Sequence, residues 1–215
     1  QWEPDSAEQM ISWEKEEKRA QERWTQLQRD YQKSLKEQRD ARARDPGVIR
    51  QWLMLAPIPA PTDQRLDEEF CSPESQLRPS PGDRARWGEV ELSWRTVETS
   101  DSVMDFSALV GRITQRAAAY AVCYIVADTE QDGLRLLVGS DDQSKVYLNG
   151  KEVYVSRFKR GFIEDENVVE GVRLNAGKNV LIFKVVNETA HWKGSLRLTD
   201  ASGQPPKGIK VSLAP

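Results

Sequence analysis

The sequence is poor in the residue types on which most catalytic and metal sites depend. It contains one histidine and two cysteines among 215 residues. These three side chains are too few for a zinc site whose four ligands are all cysteine or histidine. Neither a Gly-x-Ser-x-Gly motif nor a phosphate-binding glycine-rich loop occurs, so neither a nucleophile elbow nor a P-loop is indicated. We therefore expect a protein that is not an enzyme.

An excess of basic charge and a long apolar run are also missing. The formal net charge is −3, whereas nucleic-acid-binding domains usually carry a basic face. No stretch of about 18 apolar residues is present, so no transmembrane helix is expected. The chain begins with Gln1 rather than methionine. We expect that a signal peptide has been removed and that the protein is extracellular or periplasmic.

The two cysteines leave two interpretations open. Cys71 lies in a segment rich in proline and serine, and Cys123 lies in a predicted strand. A disulfide between them fits an oxidising compartment. Alternatively, Cys71 is a free thiol and Cys123 is a small buried apolar residue.

Glycine is absent from the first 44 residues, which are rich in charged side chains. Asp5 or Ser6 begins this segment as a helix N-cap, and the Asp45-Pro46-Gly47 sequence terminates it. Between these ends a stripe recurs at alternating spacings of three and four, which predicts one long helix or two with a break. The stripe consists of Met10, Trp13, Glu17, Ala20, Trp24, Leu27, Tyr31 and Ser34.

The aromatic residues of this stripe predict a contact partner for the helix, and three interpretations remain open. Trp13, Trp24 and Tyr31 pack on the chain's own β domain, pair with another chain as a coiled coil, or belong to an exposed charged stalk. Acidic and basic residues are interspersed along the helix, so we do not expect it to bind nucleic acid.

The stretch from residue 134 onwards shows the clearest strand pattern in the chain. Leu134, Leu136 and Val138 point to one side of a strand, while Arg135 points to the other, because side chains alternate along a strand. Residues 139–142, with the sequence GSDD, are typical of a turn. The pattern predicts a strand with one buried face that ends before this turn.

A hairpin follows this stretch. Asn149-Gly150 joins the predicted strands at residues 145–148 and 152–155, because both central residues of a type I′ turn need positive φ. The other predicted strands are residues 51–58, 89–97, 120–127, 168–174, 180–186, 195–198 and 209–213, with a proline-rich loop at 61–83 and a short helical or irregular link at 105–113. The sequence therefore predicts a mainly β fold. An antiparallel β-sandwich or jelly roll at residues 48–215 follows a long N-terminal α-helix at residues 1–47.

Four blocks of the sequence carry a resemblance to a known family. They read WLMLAPI at 52–58, YAVCY at 120–124, GSDD with VYLNGK at 139–151, and LNAGKNVLIFKV at 174–185. Together they resemble the galactose-binding-like jelly-roll modules of large secreted bacterial proteins, which are often appended to glycoside hydrolases. The resemblance covers about residues 52–199 and implies a non-catalytic module that binds carbohydrate. The same sandwich also serves as a structural spacer, so fold alone does not decide function.

The Asp141-Asp142 pair resembles the paired aspartates of the protective-antigen-type lectin sandwiches of adhesins. In those proteins the pair holds a calcium ion that contacts a sugar. Calcium takes six to eight oxygen ligands, and Asp128 and Asp132 are candidates to complete the set. The resemblance thus implies calcium as the cofactor, while the alternative is a solvated turn whose side chains cap backbone amides.

A sugar site on a sandwich needs an aromatic surface for stacking and several polar side chains. The candidate ligand-binding residues are Tyr154, Arg157, Phe158, Arg160, Phe162, His191 and Trp192. For the aromatic members another interpretation stays open. Trp192 packs in the core, and Phe158 and Phe162 close one end of the sandwich.

Two functions are therefore expected. The first is a non-catalytic sandwich module that binds a glycan in a secreted or cell-envelope protein. The second is a structural or assembly protein that docks a protein partner, or a second copy of itself, through the N-terminal helix.

Overall fold

A computed structural model describes residues 7–61, 65–71 and 73–215. The fold is mainly β, with antiparallel sheets preceded by one long N-terminal helix, as the sequence predicts. The chain divides into two compact units at residues 1–44 and 45–215. The predicted helix caps Asp5 and Ser6 lie outside the described residues. Within the described residues no helix is long and apolar enough to cross a membrane.

The first unit contains the helix α1, Ala7–Arg44, which is continuous over 38 residues. It has no glycine or proline, and most of its residues are alanine, glutamate, glutamine, lysine or arginine, which have high helix propensity. It ends directly before Asp45-Pro46, because a residue that precedes proline is disfavoured in the α conformation. Lys33 and Glu37 form an exposed ion pair of 3.8 Å along its surface.

The described residues of the second unit form thirteen strands, a short α-helix and a 3-10 helix at Glu74–Gln76. The strands are β1 (Gln51–Pro59), β2 (Arg84–Trp87), β3 (Val90–Ser93), β4 (Arg95–Glu98), β5 (Met104–Asp105), β6 (Ala117–Ala127), β7 (Gln131–Asp141), β8 (Gln143–Leu148), β9 (Lys151–Ser156), β10 (Asn167–Leu174), β11 (Gly177–Asn187), β12 (Lys193–Thr199) and β13 (Ile209–Ser212). The helix α2 is Phe106–Val110, with Asp105 as its N-cap.

Two antiparallel sheets form the sandwich. The larger sheet has the order β4-β1-β6-β11-β8-β9, and β13 also pairs with β6. The smaller sheet has the order β10-β7-β12-β5. Their facing side chains share one apolar core, with Trp52 and Phe183 from the larger sheet and Leu136 and Leu196 from the smaller one. The alternation predicted for β7 is confirmed, since Leu134, Leu136 and Val138 are all buried.

The central strand β6 is buried on both faces. Ala121 and Cys123 point into the core between the sheets, whereas Tyr120 and Tyr124 point to a second apolar cluster on the outer face of the larger sheet. Residues around Phe70, together with the β2–β3 hairpin, cover that face. The described residues of the proline-rich segment predicted as a loop therefore pack as a third layer over part of the sandwich.

Two local predictions need correction, and one is confirmed. The predicted strand at 89–97 is interrupted at the buried Trp94, whose backbone N–H donates to the Asp83 carbonyl at 2.8 Å. The predicted turn at 139–142 is mostly strand, because β7 runs to Asp141 and β8 begins at Gln143. The Asn149-Gly150 turn has φ angles of 51° and 84°, as a type I′ hairpin requires.

The two cysteines are free thiols. Cys123 belongs to the core between the sheets, and Cys71 packs against the cluster on the opposite face of the larger sheet. The sheet therefore separates the two sulfur atoms, and the interpretation with two thiols holds.

Candidate functional site

The candidate site lies at one end of the sandwich, where six strand ends meet. There β7, β9 and β11 end and β8, β10 and β12 begin. The register places Asp141 opposite Lys193 and Ser144 opposite Ser156. Two loops, residues 157–166 and 188–192, therefore lie at this end together with Asp142, at which the chain crosses from the smaller sheet to the larger one.

The Asp141-Asp142 pair connects these loops to the sheets. A cis peptide bond joins the two residues. The Asp142 carboxylate accepts a hydrogen bond of 2.8 Å from the Glu188 backbone N–H. Backbone N–H groups of the other loop, at Phe162 and Arg160, interact with Asp141 and Asp142 respectively. The pair thus caps backbone amides of both loops.

The environment of both carboxyl groups raises their pKa values. Burial raises the pKa of Asp141, and the adjacent charge of Asp142 adds to the shift, while His191 opposes it. Burial also raises the pKa of Asp142, and the Glu188 backbone N–H opposes that shift. Burial penalises the charged form, whereas hydrogen bonds to a carboxylate favour it. The backbone donors therefore compensate part of the cost of placing two carboxylates at one corner.

The predicted convergence of four aspartates is wrong. Asp132 lies near the start of β7 and Asp141 at its end, so the two are separated by roughly 30 Å at about 3.3 Å per residue. Asp128 directly follows β6 and donates its N–H to the Gly208 carbonyl, also far from Asp141. Among the described residues no group of three or more histidine, cysteine, aspartate or glutamate side chains is suited to hold a metal ion.

Tyr154 and Arg160 belong to an internal hydrogen-bond network at this end. The Arg160 guanidinium pairs with Glu166 at 2.6 Å and donates to the Tyr154 hydroxyl at 3.0 Å. Tyr154 in turn donates to Asn167 Oδ1 at 2.5 Å. The Arg160 side chain is only 16% exposed. These contacts fix the path of the 157–166 loop.

Arg157 makes a second set of contacts. Its guanidinium donates through both terminal nitrogens to the Asp67 carboxylate, one of them at 3.0 Å. Lys145 reaches the same carboxylate at 2.9 Å. Hydrogen bonds from Arg157 and then Lys145 lower the pKa of Asp67 to about 2. Arg157 therefore ties the site loop to the segment that covers the larger sheet.

The side chains that remain available to a ligand are fewer than the sequence suggests. Phe158 is 75% exposed and Ile163 is 58% exposed, both on the 157–166 loop. His191 is exposed and Phe162 is partly buried. Lys159, on the same loop, is exposed at its side chain and pairs with Glu188 at 2.8 Å.

Trp192 is removed from the candidate ligand set. Its side chain is completely buried in the core between the sheets. The indole packs against Phe106 with ring centroids 5.1 Å apart, and the Trp192 carbonyl accepts a hydrogen bond of 2.9 Å from the Phe106 N–H. An indole in this position cannot stack on a sugar, because the ring has no solvent-facing surface.

Sequence reasoning missed a polar cluster under the covering segment. Lys184 and Glu74 form an ion pair of 2.9 Å, with side chains 0% and 1% exposed. The Glu74 carboxylate also accepts hydrogen bonds from the hydroxyls of Tyr147 at 2.6 Å and Tyr120 at 2.5 Å. The signal in the sequence was one lysine within an apolar strand. The partner lies 110 positions away, so no local pattern identifies it.

Comparisons with known proteins do not assign the chain to a family. No family model matches the chain, and no curated protein matches its sequence. A family 35 carbohydrate-binding module from an environmental isolate is 18% identical, with a TM-score of 0.32, over 46% of this chain and 73% of the module. The PA14 domain of the antifreeze protein MpAFP is 14% identical, with a TM-score of 0.33, over 44% of this chain and 51% of that chain.

Proposed function

We propose that the sandwich is a non-catalytic module that binds a glycan at the end formed by residues 157–166 and 188–192. The observation that carries this proposal is Phe158, an aromatic ring that is 75% exposed on a loop fixed at several points. An exposed phenyl ring is unfavourable in water, whereas the C–H face of a sugar ring can pack against it.

Polar side chains on the loops at the same end of the sandwich suit the hydroxyls of a sugar. Lys159 follows Phe158 directly, and the exposed His191 lies on the second loop of the same end. The Arg160–Glu166 ion pair and the hydrogen bonds at Asp142 hold these loops before a ligand binds. A loop that is already ordered loses little conformational entropy on binding. The arrangement thus supports weak, selective binding of a polar ligand with an apolar face.

The ionisable groups support a binding module rather than an enzyme. Burial raises the pKa of Cys71 to about 11, and burial also raises the pKa of Cys123. Both thiols are therefore protonated at neutral pH, whereas a nucleophilic cysteine needs a lowered pKa. Lys184 and Glu74 are enclosed, so a substrate does not reach them.

We also propose that the protein lies outside the cytoplasm, where polysaccharides occur. It does not assign calcium to four aspartates, because Asp128 and Asp132 lie at the other end of β7. A calcium ion held by Asp141 and Asp142 has to compete with the backbone N–H groups that already donate hydrogen bonds to these carboxylates.

Glycan-array screening followed by calorimetry of the full chain, with calcium and with a chelator, tests the proposal. We expect binding to at least one polysaccharide, loss of that binding in Phe158→Ala, and no change with the chelator. Ile113→Ala is the matched control, because Ile113 is as exposed as Phe158, at 75%, and lies outside both loops. No binding by the folded protein across a broad panel, or binding that persists in Phe158→Ala, would contradict the proposal.

A further inference from the structure

The helix α1 carries an apolar stripe that is largely open to solvent. Trp13 is 52% exposed, Trp24 59%, Leu27 63% and Tyr31 63%. These four side chains lie on one face of the helix, in a stripe with alternating spacings of three and four that also includes Glu17 and Ala20 between Trp13 and Trp24. A 38-residue helix with such a face gains most of its stability from packing against a partner rather than from helix propensity.

The charge of the helical segment is strongly asymmetric along its length. Within α1, residues 7–22 contain five acidic and three basic side chains, and residues 23–44 contain three acidic and seven basic ones. The helix therefore carries a net charge of −2 in its first part and +4 in its second. The orientation of two copies therefore decides whether the acidic part of one helix lies beside the basic part of the other and attracts it.

We propose that α1 pairs with α1 of a second copy of this chain in antiparallel orientation. An antiparallel pair places each acidic half beside a basic half, whereas a parallel pair places like charges side by side. Complementary charge of this kind selects the orientation of an interface more than its strength. The helix dipoles also favour the antiparallel orientation, because the positive end of each helix then lies beside the negative end of the other.

The seam side chains nearest the centre of α1 set the register that we propose. In Ala7–Arg44 the midpoint falls between Thr25 and Gln26, and Trp24 and Leu27 flank it at equal distances. A two-fold axis through this point sets Trp24 of one copy against Leu27 of the other. It also sets Arg23 against Asp30 at the edge of the seam, twice by symmetry. The proposed interface thus packs Trp24 against Leu27 twice and pairs Arg23 with Asp30 twice, about one axis.

Sedimentation analysis of the full chain tests self-association. We expect a species of twice the 24.5 kDa chain mass at tens of micromolar concentration. Leu27→Glu places a charge on the seam and weakens the dimer by at least about tenfold. Gln32→Glu adds the same charge off the seam and leaves the dimer unchanged. A monomer throughout, or a dimer that Leu27→Glu does not weaken, overturns the proposal.

Distances between spin labels test the orientation without altering the seam. Lys15 and Lys36 are exposed and lie opposite the stripe at equal distances from the midpoint. Cysteines at these sites are labelled in a Cys71→Ser background, since Cys123 is fully buried.

In the antiparallel dimer two labels at Lys15→Cys are offset along the axis by about 31 Å, at 1.5 Å per residue. Mixed Lys15→Cys and Lys36→Cys chains bring their labels side by side. A shorter distance between two Lys15→Cys labels than between the labels of mixed chains indicates a parallel pair and overturns the proposal.

Discussion

Lys184 donates a hydrogen bond of 2.9 Å to Glu74 across the outer face of the larger sheet, and neither side chain is exposed to solvent. The ammonium group also donates to the carbonyls of Leu66 at 2.9 Å and Glu68 at 2.6 Å. All of its hydrogen-bonding capacity is directed at the covering segment. One lysine in β11 therefore holds this segment on the sandwich.

Removal of one member of this pair leaves the other charge buried without an opposite charge beside it. Glu74→Ala is expected to lower the free energy of unfolding by about 3–5 kcal/mol. The double variant Glu74→Leu/Lys184→Met is expected to cost much less than the sum of its single changes. Denaturant unfolding followed by fluorescence measures both. The control is Lys210→Met, at an exposed position of β13. If the double variant costs as much free energy of unfolding as the two single changes together, the pair does not act as a unit.

Asp67 gives the sandwich a pH-dependent contribution to stability. Its pKa falls from 3.8 to about 2 because Arg157 and Lys145 hydrogen-bond its carboxylate. The native state therefore binds fewer protons than the unfolded state between these values. The stabilisation is present above about pH 4 and is lost as the pH falls through 2.

Asp67→Asn tests this contribution by unfolding at several pH values. The Asp67 side chain is 49% exposed, so solvent screening limits the expected cost to below about 1 kcal/mol at pH 7. The difference between wild type and variant should vanish near pH 2. A difference that stays constant from pH 7 to pH 2 would assign the effect to packing rather than to charge.

The Asp142 carboxylate is expected to order the loop that follows β11. Asp142→Ala removes the acceptor of the Glu188 N–H, and a lost hydrogen bond to a charged group costs about 1.5–3 kcal/mol. Amide hydrogen exchange is expected to quicken at residues 157–166 and 188–192. Asp132→Ala, at the other end of β7, serves as the control and should leave exchange in both loops unchanged. Equal exchange in the two variants would contradict the anchoring role.

Trp192 and Phe158 are expected to differ in their effects on stability. Trp192→Ala opens a cavity in the core between the sheets and costs about 3–5 kcal/mol. Phe158→Ala changes a surface side chain and stays within about 0.5 kcal/mol. Thermal unfolding by calorimetry compares the two. A Phe158→Ala variant as unstable as Trp192→Ala would show that Phe158 packs at the sandwich end, and it would remove the ring from the glycan site.

The sequence alone determined the elements whose signals are local. Alternation from Leu134 to Val138 gave β7 its buried face, because a strand repeats every two residues. Asn149-Gly150 predicted the β8–β9 hairpin, because few residues tolerate positive φ at both turn positions. The glycine-free first segment predicted α1, and Pro46 marked its end. The antiparallel sandwich followed from the number and spacing of such strands.

Only the tertiary structure decided which distant residues meet. The strand pairing carried Asp132 away from Asp141 along β7 and placed Trp192 against Phe106. It also brought Lys184 to Glu74, 110 positions apart. Side-chain alternation records which face a residue occupies, but not what covers that face. Covering is set by the register of the sheets and the path of the loops, which are properties of the whole chain.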